Sequence, residues 1–301
     1  MSDAFEEHQK GEIKMDNMMP PLEVIFGTYI SWKIDEQTWV INFMEGSENM
    51  YLLEGTEKAL LIDTGYGVGN LRAYVERLTD KPILVVNTHF HPDHAAGNGE
   101  FECVYVSHNW KADEAAVYGS GAVPFDLNKL PHPDYEKIKL YGGDIVDLGG
   151  RTVEVIDVKP AHCESSLFFL DREHKMFFCG DELEAGQVNL FDNSYNPNVT
   201  YDVEERLKNF KENNEKIKSH SHEFIYLMPN HNGAPIAKSY VNQFIELVDA
   251  IYEGTATIEE KLNHRFLEHD PQASKLCRVR WKDVSIFTYK EGVQKIYGGR
   301  K

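Results

Sequence analysis

Short apolar runs dominate the first third of the chain. LEVIFGTYI (22–30), TWVINFM (38–44), NMYLLEG (49–55) and KALLIDTG (58–65) are rich in β-branched and aromatic residues. Each is bounded by Gly, Asp, Asn or Ser, which predicts a β-meander. Over 67–78 the periodicity changes: Leu71, Val75 and Leu78 fall on one helical stripe, and PILVVNTH (82–89) then reads as a buried strand. A second series follows, with strands near 102–106, 152–158, 165–170 and 175–180, a charged helix around 202–218 and a strand at 224–228. The helix expected at 239–252 places Tyr240, Val241, Phe244, Ile245, Val248 and Ile251 on one face. Two β-rich halves with helices outside predict a layered α/β sandwich.

Three stretches fit that sandwich poorly: 107–144, 184–200 and 264–301. The first two, rich in Gly, Pro, Asn and Tyr, read as loops overhanging a site. In the third, RVRWKDVSIFTYKEG (278–292) alternates like an added strand that caps the site or makes a subunit contact. Residues 1–21 are polar and end in Met18-Met19-Pro20-Pro21, a loose arm by composition. The expected organisation is this arm, one domain over 22–263, and a C-terminal extension over 264–301 packed on it.

Charge narrows the partners. Lys and Arg number 31 against 49 Asp and Glu, a formal charge of -18. Such a surface repels phosphate backbones and anionic membranes, so the expectation is a small-molecule substrate, no nucleic acid and no membrane, with a homo-oligomer allowed. Cys103, Cys163, Cys179 and Cys277 form no C-x-x-C pair and read as reduced thiols. With no apolar run of about 18 residues and no signal-like segment, the expected location is the cytoplasm.

The chemistry concentrates in Thr88-His89-Phe90-His91-Pro92-Asp93-His94, directly after the apolar strand. Alternation puts His89 and His91 on one side, while the turn at Pro92 swings Asp93 and His94 towards a second point. That is geometry for two metal ions, and imidazole with carboxylate suits a borderline-soft divalent ion. A solvated His-rich turn, the alternative, leaves unexplained why a strand ends in four potential ligands.

The H-x-H-x-D-H pattern resembles the signature of the metallo-β-lactamase-fold superfamily. Four further segments resemble that family's motifs in the same order: LIDTGYG (61–67), PAHCESS (160–166), FFCGDEL (177–183) and MPNHNGAPI (228–236). The resemblance implies a four-layer αββα sandwich. It implies His89, His91 and His162 as ligands of a first metal, Asp93, His94 and His231 as ligands of a second, and Asp181 as a carboxylate shared by both. Two divalent ions are expected, zinc foremost, with manganese or iron as alternatives. Hydroxide between them would attack a carbonyl, and Asp93 would also act catalytically by accepting a proton. Asp63 resembles the family's aspartate that supports the histidine loop; the competing reading is a simple Asp-Thr-Gly turn.

Other residues read as structural: His132, His174, His220 and His222 as polar turns, Cys179 as core, and Cys163 as a neighbour of a ligand rather than a ligand. Trp110, Tyr118, Phe125, Phe191, Tyr195 and Tyr201 offer aromatic surface; of these Trp110, Tyr118, Phe191 and Tyr195 are the candidates for a substrate pocket. The substrate stays open. The third-histidine loop lacks the Thr-Pro-Gly run of glyoxalase-II-like thioesterases, and Glu182, Leu183 and Glu184 stand where quorum-signal lactonases carry a tyrosine. The expected function is metal-dependent hydrolysis of a small ester, lactone, thioester or amide. The alternatives are a mononuclear iron persulfide dioxygenase, a β-lactam-hydrolysing member of the fold, and a non-catalytic binding protein.

Overall fold

The structure, a computed structural model, describes residues 29–43, 47–110, 135–191, 201–262 and 273–298. A seven-stranded sheet lays β1 (Tyr29–Asp35), β2 (Thr38–Phe43), β3 (Asn49–Glu54), β4 (Ala59–Ile62), β5 (Ile83–Val86), β6 (Cys103–Ser107) and β7 (Glu136–Leu140) side by side in chain order. Its first four strands are antiparallel and its last four parallel. A five-stranded sheet contains β8 (Ile145–Asp147), β9 (Thr152–Asp157), β10 (Leu167–Asp171), β11 (Met176–Gly180) and, parallel to β11, β13 (Tyr226–Pro229). Between them in sequence, β12 (Gln187–Asn189) joins a third sheet with β14 (Thr257–Glu259), β15 (Leu276–Trp281) and β16 (Val284–Tyr289).

Alternation assigns the layers. Val40, Tyr51, Leu60 and Ile62 of the large sheet face Val155, Phe169, Met176 and Phe178 of the second across a closed interface. Their sequence neighbours Ile41, Leu52 and Leu61 point the other way, onto α1 (Leu71–Val75) and α2 (Pro92–Ala95). Phe168, Phe177 and Cys179 on the far face of the second sheet pack against α3 (Val203–Ser219), α4 (Ser239–Glu253), α5 (Lys290–Gly298) and the third sheet. The order helix, sheet, sheet, helix is the four-layer αββα sandwich. Because the central strands are buried on both faces, their sequences read as continuous apolar runs rather than as alternation.

The sequence reading differs from the structure at several elements. Among the described residues β1 runs from Tyr29 to Asp35, past the expected end at residue 30, because the hairpin turns at Asp35, whose Oδ1 accepts the Gln37 amide at 2.8 Å. Residues 22–28 and the arm at 1–21 lie outside the described residues. The helix expected over 67–78 is confined to Leu71–Val75, since Gly67 and Gly69 are left-handed and Asn70 caps the first turn. The stretch 107–144 holds a strand: β7, EKIKL, is an edge strand with mostly charged exposed positions, so no apolar period marks it. The stretch 184–200 holds β12, three residues long. The tail forms two strands and a helix, the strands joined at a left-handed Lys282. No helix among the described residues is long and apolar enough to cross a membrane.

At the end of the sandwich away from the C-terminal ends of β4, β5 and β11, Arg151 binds the sheets together. Its guanidinium is 1% exposed and donates to Asp171 Oδ2 at 2.7 Å, Thr38 Oγ1 at 2.8 Å and the Gln37 carbonyl at 2.8 Å. Removing one partner of a buried pair strands the other charge. Arg151→Ala is therefore expected to destabilise the fold by about 3–5 kcal/mol in denaturant unfolding while leaving metal stoichiometry unchanged.

Candidate metal centre

Four strands end at one edge of the sandwich, two from each sheet, and each is followed by a residue of the candidate site. Asp63 follows β4, Asn87-Thr88-His89 follow β5, Asp181 follows β11 and Asn230-His231 follow β13. His162 comes from the β9–β10 connection. The two sheets approach closely here: a Cβ built on Gly180, whose φ is +56°, would lie 3.1 Å from Thr88 Cβ. Glycine thus allows both the left-handed turn into Asp181 and the contact with the histidine segment.

His89, His91 and His162 form one cluster, and Asp93, His94, Asp181 and His231 a second, each with ligand-type atoms within 4.8 Å of one another. In the first, His91 Nδ1 lies 3.0 Å from His89 Nε2 and 2.9 Å from His162 Nε2. In the second, His94 Nε2 lies 3.3 Å from His231 Nε2, and Asp93 Oδ2 lies 3.2 Å from His231 Nε2. Asp181 Oδ2 reaches both: it is 3.5 Å from His162 Nε2 and 3.9 Å from His89 Nε2 on one side, and 3.3 Å from His94 Nε2 and 3.5 Å from His231 Nε2 on the other.

The two clusters differ in charge. Burial and neighbouring imidazoles push His91 down to about 3 and His89 well below the usual range, so these rings are neutral with a lone pair to give. Around the second cluster, burial favours neutral rings, but Asp181 and Asp93 overcome it, raising His94 and bringing His231 up to about 10. Burial likewise opposes ionisation of Asp93 and Asp181, yet the adjacent imidazoles hold both well below the usual carboxylate range.

This donor set fits metal ions. Three ring nitrogens converge, those of His89 and His91 on rings that burial holds neutral, and two ionised carboxylates sit among the imidazoles of the second cluster. Asp181 Oδ1 is buried without a hydrogen-bond partner, as a carboxylate awaiting a cation would be.

Asp63 joins the ends of three strands. Its Oδ1 accepts the Thr88 amide at 2.7 Å, and its Oδ2 accepts Thr88 Oγ1–H at 2.6 Å and Asn230 Nδ2–H at 2.8 Å. His94 Nδ1 is 2.9 Å from the same Oδ2 and donates to it, which leaves His94 Nε2 for the second cluster. On the other side, His162 Nδ1 donates to the Asn189 carbonyl at 2.7 Å, with the same effect on its ring.

The two sheets thus bring all seven residues expected to bind metal to one place. The aromatic candidates are not gathered there as a set. Trp110 packs against Phe90, beside His91, with ring centroids 5.9 Å apart. Phe191 is 2% exposed and packs with Leu276 and Phe287. Tyr118, Phe125 and Tyr195 lie outside the described residues, as does His132. His174 pairs with Asp35, and His220 with Glu223. Sequence reasoning missed two buried glutamates at the second cluster: Glu48, whose neighbour Ser47 hydrogen-bonds His231 Nδ1 at 3.1 Å, and Glu184, which accepts Asn232 Nδ2–H at 2.5 Å. Burial pushes both up to about 8. Glu48 lies outside every motif, and Glu184, three residues past Asp181, stands in the sequence only as a residue in the place of a lactonase tyrosine.

Residues 44–222 match the family model for the metallo-beta-lactamase superfamily. The chain belongs to that superfamily. The match includes every clustered residue except His231. Among proteins of known sequence, the acyl-coenzyme A thioesterase MBLAC2 of Gallus gallus is 30% identical over 167 residues, covering 46% of this chain and 59% of that protein. The hydroxyacylglutathione hydrolase of Hyphomonas neptunium is 32% identical over 131 residues, covering 44% and 45%. The chain therefore spans about half to three fifths of these relatives. A metallo-beta-lactamase from Pontibacter korlensis shares the fold, with a TM-score of 0.52 at 16% identity over 73% of this chain and 99% of that one.

Two outcomes follow. Asp63→Ala leaves the Thr88, Asn230 and His94 donors without an acceptor, and metal affinity measured against a chromophoric chelator is expected to fall about 10–100-fold. The second concerns pH. His231 titrates at about 10 when folded against 6.5 when unfolded, so its contribution to the metal-free protein is complete below 6.5 and lost as pH rises to about 10. Glu48 and Glu184, raised from 4.5 to about 8, act in the same direction up to that value, because the unfolded chain ionises first. The Tm of metal-free protein is expected to fall between pH 6.5 and 10, and the fall to be smaller once metal has displaced the His231 proton.

Proposed function

We propose that this chain is a metal-dependent hydrolase of small ester, lactone, thioester or amide substrates, with thioesters the first to test. The observation that carries the reading is the position of Asp181 Oδ2, within 3.9 Å of ring nitrogens from both clusters, where one carboxylate can serve two adjacent ions. His89, His91 and His162 would hold one ion, Asp93, His94 and His231 the other. The names of the two relatives, a thioesterase and a hydrolase of an acylglutathione, support the thioester choice.

Two divalent ions bound there, zinc by preference of the donor set, would supply hydroxide at neutral pH and positive charge for a carbonyl oxygen. The remaining work falls to the protein. Neutral His89 and His91 keep their lone pairs inward. Asp63 fixes the tautomer of His94, and the Asn189 carbonyl that of His162. Asp93, ionised and 3.2 Å from His231 Nε2, would help hold the second ion and would accept the proton given up by the water nucleophile. Phe90 packs edge-on against the His91 ring, and Trp110 against Phe90. A net charge of -18 favours small substrates over polyanions, and four unpaired cysteines, three of them buried, suit a reducing compartment such as the cytoplasm.

The test combines metal analysis with an acyl panel. Two zinc or manganese ions per chain and hydrolysis of a thioester, ester or lactone are expected; one iron with oxygen uptake would identify a dioxygenase and overturn the reading. Asp181→Ala should reduce bound metal and lower kcat/KM by more than the roughly 100-fold typical of outer partners. Full rate with two tightly held ions in that variant would remove Asp181 from the shared position.

A further inference from the structure

From the end of β9 at Asp157 the chain runs on to His162, and residues 158–162 have no strand beside them, so carbonyl groups of this connection need donors from elsewhere. One stripe of α3 provides them in reverse order. Lys216 Nζ donates to the Asp157 carbonyl at 2.6 Å, Asn213 Nδ2 to Lys159 at 2.8 Å, Asn209 Nδ2 to Pro160 at 2.8 Å and Arg206 Nη1 to Ala161 at 3.4 Å. The spacing of three or four residues makes these neighbours on the helix surface. Leu207, Phe210 and Ile217 of the same helix point into the core instead.

Asn213 is 1% exposed, and a buried amide in a helix interior lowers helix propensity. Its hydrogen bonds lie outside the helix: besides the Lys159 carbonyl, Nδ2 donates to Glu182 Oε2 at 3.1 Å, and Oδ1 accepts the Lys159 amide at 3.0 Å. Glu182 Oε1 in turn accepts the amide of His162 at 3.1 Å and that of Cys163 at 3.4 Å. Adjacent carboxylates therefore work in opposite directions: Asp181 faces the clustered nitrogens, and Glu182 grips the backbone of the residue that brings one of those nitrogens. Asn214, beside Asn213 and equally buried, makes only a bond to Phe210 in its own helix.

We propose that Arg206, Asn209 and Asn213 of α3, acting with Glu182, are positioning residues that fix His162 for the first metal ion. The inference rests on His162 being a ligand. Packing alone would be served by apolar residues; a row of donors that runs to the Ala161 carbonyl, with Glu182 accepting the His162 amide of the same peptide unit, is what a closely placed ligand backbone needs.

The experiment uses the full chain with zinc, and with cobalt(II) as a spectroscopic probe. Asn213→Leu should weaken one of the two ions about 10–100-fold in competition with a chelator and remove the same cobalt absorption bands as His162→Ala. The other ion should bind as in wild type. Asn214→Leu, which changes the buried helix without touching the loop, should bind both ions normally. Glu182→Gln keeps the shape and the acceptor for His162 but opposes the Asn213 donor, so it should give a smaller loss of the same ion, and it serves if Asn213→Leu does not fold. Wild-type affinity and spectrum in Asn213→Leu, or in Glu182→Gln where that variant is used, would overturn the inference, and so would an equal loss in Asn214→Leu. A wild-type chain that takes up no metal would overturn the reading beneath it, a result distinct from either.

Discussion

The buried carboxylate of Asp63 is the constraint on which the rest of the centre depends. Removing a charge from water costs several kcal/mol unless nearby donors replace the lost hydration. Asp63 finds its donors only if the ends of β5 and β13 and the short helix carrying His94 all come to it. The left-handed backbone at Asp63, φ +64°, is held by that same set of bonds. Beneath it Asn87, Asn98 and Thr64 form a second buried layer: Asn98 Nδ2 donates to Asn87 Oδ1 at 2.7 Å, and Thr64 Oγ1 to Asn98 Oδ1 at 2.8 Å. Convergence of two sheets on one point is in this sense a hydrogen-bonding requirement.

The charge is divided unevenly across that point. The first cluster is built from imidazoles, two of them driven neutral; the second gathers Asp93 and Asp181, with Glu48 and Glu184 close behind. Without a cation the protein neutralises the second side with protons, on His94, on His231 and on the glutamates. The two halves therefore differ in how strongly they compete with protons for metal, although they share a carboxylate.

The centre was legible in the sequence because its residues sit at strand ends, where hydrophobic runs stop abruptly. His89 to His94 follow β5 directly, and Asp181 and His231 each follow an apolar strand. The layer order was legible for a related reason: strands buried on both faces leave unbroken apolar runs. What stayed hidden had no period or spacing to reveal it. β7 carries charge on its exposed face, and β12 has only three residues. Glu48, Glu182 and Asn189 act through contacts between segments far apart in the chain. The Asn189 contribution was the least accessible, since it comes from a backbone carbonyl and any residue could supply it.

That carbonyl ties the C-terminal strands to the centre. β12 is held by parallel pairing with β16, in which Val188 lies opposite Ile286 and the Leu190 amide donates to the Phe287 carbonyl at 2.8 Å. During synthesis every candidate ligand has been made once His231 is added, yet the strand that seats the Asn189 carbonyl against His162 is still more than fifty residues away from translation. The acceptor that orients the His162 ring is therefore seated by pairing with a segment that carries none of the candidate ligands, so the C-terminal strands belong to the centre without contributing a donor atom to it.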